Sequence, residues 1–283
     1  MIKGFICPDK TKINCQDCFK ECRLGFRCAP TSYLQAVTQD REWHGVPSVT
    51  QLCNGTLESY LKIKSDYYVS PNDMAFAISG TKKHAQLEEH GENAEQRMEW
   101  NGIQGTPDEL IYHDDDTFNL IDHKTAGSYK VAQCLGIATE KIETGEFYKN
   151  GKPKTKTEII MIPGEWGDYE LQLNMYRIMI EETTGKKCRE QKIFFIVRDG
   201  GTAIAFSRGV RDNIYFSSVP KLDDGKVIAY FEHKRDALIY AVENDIEPEI
   251  CSQEERWFDR KCEKYCQVAE FCKYAPKKED SNE

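Results

Sequence analysis

The sequence predicts a mixed α/β fold, a central sheet flanked by helices, with a cysteine-rich metal module at each terminus. Three observations lead there. Helical and strand-like periodicities succeed one another without the regular alternation of a doubly wound sheet. Eight of the twelve cysteines fall into two copies of a single spacing. The chain has 283 residues, 40% of them hydrophobic and 30% charged. That suffices for one large domain or two small ones and excludes a disordered polymer. No stretch approaches the ~18 apolar residues needed to span a bilayer, so no membrane partner is expected.

The elements follow in order. Residues 31–43 and 49–63 read as helices, with Ser48 and Thr50 as candidate caps and Leu52, Leu57 and Leu61 at helical spacing. Pro71-Asn72-Asp73 opens a further helix to about residue 90. Three strand-like runs come next, Met98 to Gln104, Glu109 to Tyr112 and Thr117 to Asp122, expected as a meander with turns at 105–107 and 113–116. The Gly, Pro and Lys content of 144–156 marks an exposed hairpin or loop. Residues 166–183 carry Leu171, Met175, Ile178 and Met179 on one helical stripe. The runs 192–197 and 202–206 read as strands, and 225–244 as a long amphipathic helix.

Cys7, Cys18, Cys22 and Cys28 follow C-x10-C-x3-C-x5-C, and Cys251, Cys262, Cys266 and Cys272 repeat it. The central pair of each set would share one helical face. Four converging thiolates suit tetrahedral zinc or a 4Fe–4S cluster. The alternative is a set of buried free thiols. Cys15, Cys53, Cys134 and Cys188 lie outside the pattern, and Cys15 could be an alternative ligand of the first site. The opening residues MIKGFICPDK lack the apolar run of a secretory signal, so a reducing cytoplasm is expected. The segments 7–28 and 251–272 are too short and polar to build their own cores, so bound metal is expected to supply the missing stability. The expected organisation is a first module at 1–30, a core at 31–245, and a second module with a tail at 246–283.

The formal net charge of −9 excludes a bulk electrostatic DNA coat. A local basic groove is still compatible with it. The candidate chemistry lies at strand ends. Asp108 stands in GTPDELIY, and Asp122 and Lys124 stand in NLIDHKTAG. On adjacent strands the two carboxylates could converge and chelate hard cations. Lys124 is two residues from Asp122, hence on the same face, where its ammonium can stabilise charge on a scissile phosphate. A strand-end carboxylate of this kind is expected to contribute little to the core. His84, with Glu88 one turn later, could add a ligand, and His123 could offer its backbone carbonyl.

The ordered set Gly80-x3-His84, Gly105-Thr106-Pro107-Asp108, Asp122-His123-Lys124 and Gln172-x3-Tyr176 resembles the PD-(D/E)xK nuclease superfamily. It is most similar to the branch of the RecB nuclease domain and lambda exonuclease. The segment VTQLCNGTLESYLK at 49–62 resembles the helix that precedes the catalytic core there. The likeness covers roughly residues 48–200 and implies a restriction-endonuclease-like core. It also implies that His84, Asp108 and Asp122 bind magnesium or manganese, that Lys124 assists hydrolysis, and that Gln172 and Tyr176 contact DNA near the cut.

With its terminal cysteines, the chain resembles iron–sulfur nucleases of the CRISPR-adaptation and AddB type. It departs from them in two ways. Those relatives place one cysteine before the core and three after it as C-x2-C-x5-C. Here four stand on each side with x3, so metal identity and ligand grouping stay open, and Cys53 could replace Cys251. Asp122 also stands where many relatives have Glu. The implied function is a metal-dependent DNA nuclease, an exonuclease acting on a single strand or a duplex end. Implied partners belong to recombination, repair or CRISPR adaptation. The alternative is a non-catalytic DNA-binding or partner-recruiting protein.

Overall fold

The structure, a computed structural model, describes residues 1–39, 43–88 and 97–276. The chain begins with β1 (Ile2–Ile6), β2 (Lys12–Asn14), α1 (Cys15–Lys20), α2 (Thr31–Val37), α3 (Val49–Leu52), α4 (Thr56–Lys64), β3 (Tyr67–Val69) and α5 (Ala75–Glu88). It continues through β4 (Met98–Trp100), β5 (Ile103–Gly105), β6 (Glu109–Tyr112), β7 (Thr117–Ala126), α6 (Ser128–Leu135), β8 (Ile137–Phe147) and β9 (Pro153–Met161). The remaining elements are α7 (Asp168–Thr184), β10 (Lys187–Val197), α8 (Ala203–Ser207), β11 (Ile214–Ser218), α9 (Asp224–Asn244) and α10 (Arg260–Lys264). The fold is mixed α/β. Among the described residues no helix is long and apolar enough to cross a membrane.

The elements divide into two compact units: Met1–Ala85, Met98–Gly105 and Gly225–Glu283 form the first, Gln86–Arg97 and Thr106–Asp224 the second. Both cysteine-rich ends therefore belong to the first unit. In it β1 pairs antiparallel with β2 and parallel with β3. The helix expected over 49–63 is two helices, because the chain breaks at 53–55 before α4. Ser48 caps α3 by accepting from the Gln51 N–H at 3.2 Å. Residues 40–42 of the helix expected at 31–43, and 89–90 of the one expected after Pro71, lie outside the described residues. In α9 the buried side chains Val227, Phe231, Lys234, Leu238 and Ala241 recur every three or four positions, which is one helical stripe.

The three-strand meander is not formed. Met98 to Gln104 folds on itself as the β4–β5 hairpin, which belongs to the first unit. Its turn is Asn101-Gly102, with φ of 50° and 66°, the left-handed pair that a tight hairpin requires.

In the second unit the sheet order is β11-β10-β7-β6, with β10 parallel to β7 and the outer pairs antiparallel. Phe118, Leu120 and Asp122 alternate toward one buried face of β7, and Ile193 and Phe195 continue it on β10. Helix α7 lies against these two strands and buries Leu173, Met175 and Met179. The run 202–206, expected as a strand, is instead helix α8. Thr202 caps it by accepting from the Ala205 N–H at 3.2 Å, and this local bond outweighs a short apolar run with no partner strand.

Candidate functional site

The antiparallel register of β6 on β7 pairs Glu109 with Ile121, which brings Asp108 beside the Asp122-His123 segment. The His123 backbone N–H donates to Asp108 Oδ2 at 2.6 Å. On the buried face, Lys124 Nζ lies 2.6 Å from Asp122 Oδ2. Asp122 is only 1% exposed, so it is a buried member of the core and not the peripheral strand-end carboxylate expected. Burial alone would push the Lys124 pKa down. The charges of Asp122 and Asp108 outweigh that and hold it above the ordinary lysine value. Asp108, Asp122 and Lys124 thus form one electrostatic group.

Helix α7 closes this group with a residue that motif reading missed. The Tyr169 ring centroid lies 5.3 Å from Lys124 Nζ and 5.0 Å from Lys130 Nζ, within cation–ring range of both. Burial, reinforced by the charge of Asp168, pushes the Tyr169 phenol up to about 12, so it stays protonated. Lys130, on α6, also donates to the Trp166 carbonyl at 3.0 Å. The signal for Tyr169 was present in the sequence: 169, 172 and 176 are spaced i, i+3, i+7 and share one helix face.

Gln172 and Tyr176 are brought together. Gln172 Nε2 donates to the Tyr176 hydroxyl at 3.1 Å, and the two residues are 8% and 4% exposed. His123 turns its ring to the opposite sheet face, where Nε2 lies 3.0 Å from Glu109 Oε2 and the ring meets Phe194. His84 stands on α5, and its residue belongs to the first unit. The side chains of His84 and Glu88 lie outside the described residues.

The cysteine quartets line two separate cavities. Cys7, Cys18, Cys22 and Cys28 line one with Phe5, Ile13 and Leu34. Cys7 sits at a tight turn after β1, its N–H donating to the Thr11 carbonyl at 2.8 Å. Cys251, Cys262, Cys266 and Cys272 line the other, with Leu57, Leu61 and Val268. Neither Cys15 nor Cys53 lines either of these two cavities. None of the twelve cysteines is in a disulfide. Burial pushes the Cys266 thiol up to about 11, with the nearby Glu58 charge adding to it, so metal loading there must release a proton. Cys134 and Cys188 are also raised to about 11, each chiefly by burial, as expected for inert structural thiols.

A buried charge cluster borders the second cavity. Glu58 accepts from Lys62 at 2.7 Å and from Lys261 at 2.6 Å. Lys234 donates to the Asn54 carbonyl at 2.6 Å and pairs with Glu255. Gly55 lies so close to Cys251 that a Cβ on it would collide with Cys251 Sγ.

Among the described residues, no three His, Cys, Asp or Glu side chains converge closely enough to hold a single metal ion. The donor chemistry still sorts cleanly. Asp108 and Asp122 offer hard oxygens that suit magnesium or manganese, and each quartet offers soft thiolates that suit zinc or iron–sulfur.

No family model matches the sequence, and no curated protein matches it. Among solved structures, the chain is similar to that of the protein SSO0001, with a TM-score of 0.41 and 14% identity over 87% of this chain and 94% of that one. It is also similar to a protein from Eubacterium rectale whose given name proposes an exonuclease, with a TM-score of 0.29 and 13% identity over 63% of this chain and 55% of that one. Likenesses this distant leave the function to the site itself.

Proposed function

We propose that the chain is a metal-dependent deoxyribonuclease, an exonuclease on a restriction-endonuclease-like core. The observation that carries this reading is the convergence of Asp108, Asp122 and Lys124 at the β6–β7 pair. Asp108 and Asp122, with the His123 carbonyl, are the residues that would hold magnesium or manganese. The bound cation supplies Lewis acidity to the phosphodiester.

The chain's own residues do the rest. Lys124 stays protonated and offers a fixed positive charge to the phosphate as charge develops on it. Tyr169 holds that ammonium from the side. The Gln172–Tyr176 pair orients the helix face that borders the substrate strand, a single strand or a duplex end. The C-terminal quartet, Cys251, Cys262, Cys266 and Cys272, holds an iron–sulfur cluster. The N-terminal quartet, Cys7, Cys18, Cys22 and Cys28, holds zinc or a second cluster. Both tie the chain ends into the first unit. Partners would come from DNA recombination, repair or CRISPR adaptation.

End-labelled single-stranded and duplex DNA, incubated with magnesium or manganese and with or without chelator, tests the reading. Cation-dependent shortening of the strand that is lost in Lys124→Met supports it. Tight DNA binding with no cleavage under any cation would favour a non-catalytic DNA-binding protein instead. Anaerobic purification with metal analysis distinguishes iron–sulfur from zinc.

A further inference from the structure

Strands β8 and β9 form a two-stranded ribbon, paired from Ile137 and Met161 at the root to Phe147 and Pro153 at the tip. Its 11-residue first strand reaches roughly 35 Å at the usual rise of an extended chain. Most of its side chains are exposed along both strands, so burial contributes little to holding it together. The root is fixed. Gly136 ends α6 in the left-handed conformation at φ 67°, and a Cβ there would collide with the Ile162 carbonyl that closes the ribbon.

The tip combines two features. Phe147 and Tyr148 are 65% and 55% exposed, placing two rings in water. The segment 147–156 carries Lys149, Lys152, Lys154 and Lys156 and no acid, in a chain of net charge −9. Lys154 pairs with Glu146 at 2.9 Å and lies 5.9 Å from the Tyr148 ring, and Lys156 pairs with Glu158 at 2.5 Å. Among the described residues, Lys149 and Lys152 make no ion pair. Exposed rings beside uncommitted ammonium groups match the chemistry of a nucleic-acid single strand, whose bases stack and whose phosphates are anionic.

The position of the root favours this ligand over others. The ribbon leaves directly from α6, which carries Lys130 to the Tyr169 ring, and returns just before Trp166 and α7. Both of its ends are therefore tied to the elements that frame Asp122 and Lys124. We propose that the β8–β9 ribbon is a single-strand-binding arm. Phe147 and Tyr148 stack on bases, and Lys149 and Lys152 neutralise phosphates some distance from the cut. The choice of ligand rests on the nuclease reading above.

The test uses the full chain with fluorescein-labelled oligothymidine, by anisotropy, without added divalent cation, so that binding is read apart from cleavage. Phe147→Ser with Tyr148→Ser should weaken binding about thirtyfold or more, the loss expected when two stacked bases are released. Lys149→Glu with Lys152→Glu should weaken it comparably and flatten its salt dependence. All four side chains are at the exposed tip, so melting temperature should be unchanged in both variants. Unchanged affinity in both variants, or no binding by the wild type, overturns the arm. Anionic phosphatidylserine vesicles provide the other control. Loss of vesicle binding in the variants with oligonucleotide binding intact would also overturn it, in favour of a membrane contact. If the wild type never cleaves yet binds through the tip, the nuclease reading fails and the arm stands.

Discussion

The Asp122 carboxylate and the Lys124 ammonium lie 2.6 Å apart on the buried face of β7, with Asp108 fastened beside them by the His123 N–H. Each partner makes the other's burial tolerable, and neither can be removed without exposing that dependence.

Asp122→Ala should abolish cation-dependent cleavage. It should also cost about 3 kcal/mol of stability, because it strands a largely buried ammonium with only Asp108 to answer it. Asp122→Asn keeps the shape and should lose cleavage with a smaller loss of stability. Chemical denaturation and single-turnover cleavage read the two effects separately. Wild-type cleavage in either variant would remove Asp122 from the site.

Tyr169 should act as a positioning residue for Lys124. Tyr169→Phe keeps the ring beside both ammonium groups and should retain most of the rate. Tyr169→Leu removes both cation–ring contacts, about 1 kcal/mol in total. It should slow cleavage several-fold at saturating DNA while leaving KM nearly unchanged. Equal rates in the Phe and Leu variants would show that the ring does not hold the lysine.

How much of this was legible in the sequence depended on how local the signal was. Asp122 and Lys124 share a face because strand side chains alternate, which spacing alone reveals. The β4–β5 hairpin also had a local mark, Asn101-Gly102, although the strand-like run around it reads as continuous. Helix α8 was obscured because TAIAF is too short for a period to show, and the Thr202 cap decides it. The parallel pairing of Ile2 with Tyr67 leaves no local trace, since its partners lie so far apart along the chain. Nor does spacing reveal that Gln172 and Tyr176 bond to each other and are almost wholly buried.

Asp199 caps α6 from a distant loop. It accepts from the Ser128 N–H and the Ser128 hydroxyl, each at 2.6 Å, where Gly127 has no side chain to offer. The Ser128 hydroxyl bond leads in holding the Asp199 carboxyl below its ordinary value. A depressed carboxyl contributes stability above the unfolded pKa of ~3.9 and loses it as pH falls through the folded value. Asp199→Ala should therefore cost about 1 kcal/mol near neutrality, at most, since the side chain is 33% exposed. The gap from wild type should close as pH falls below ~4. A gap that persists undiminished in acid would show that the effect is one of packing.

Gly55 and Cys251 offer the sharpest test of the second cysteine cavity. A methyl group at residue 55 must displace Cys251 Sγ, whereas Gly80 on α5 has nothing within 4 Å of its would-be Cβ. If Cys251 belongs to a metal-holding quartet, Gly55→Ala should lower metal content toward that of Cys266→Ser, and both should melt early. Gly80→Ala should keep its metal and melt no earlier than wild type, since alanine is favoured over glycine inside a helix by about 0.5–1 kcal/mol. Cys22→Ser should deplete the other cavity alone, because the two quartets line separate spaces. Metal content per chain and melting temperature, measured on all four variants, discriminate between a quartet and a set of buried thiols. Thiols that merely fill space would leave metal content the same in every variant, and Gly55→Ala would then destabilise through overlap alone.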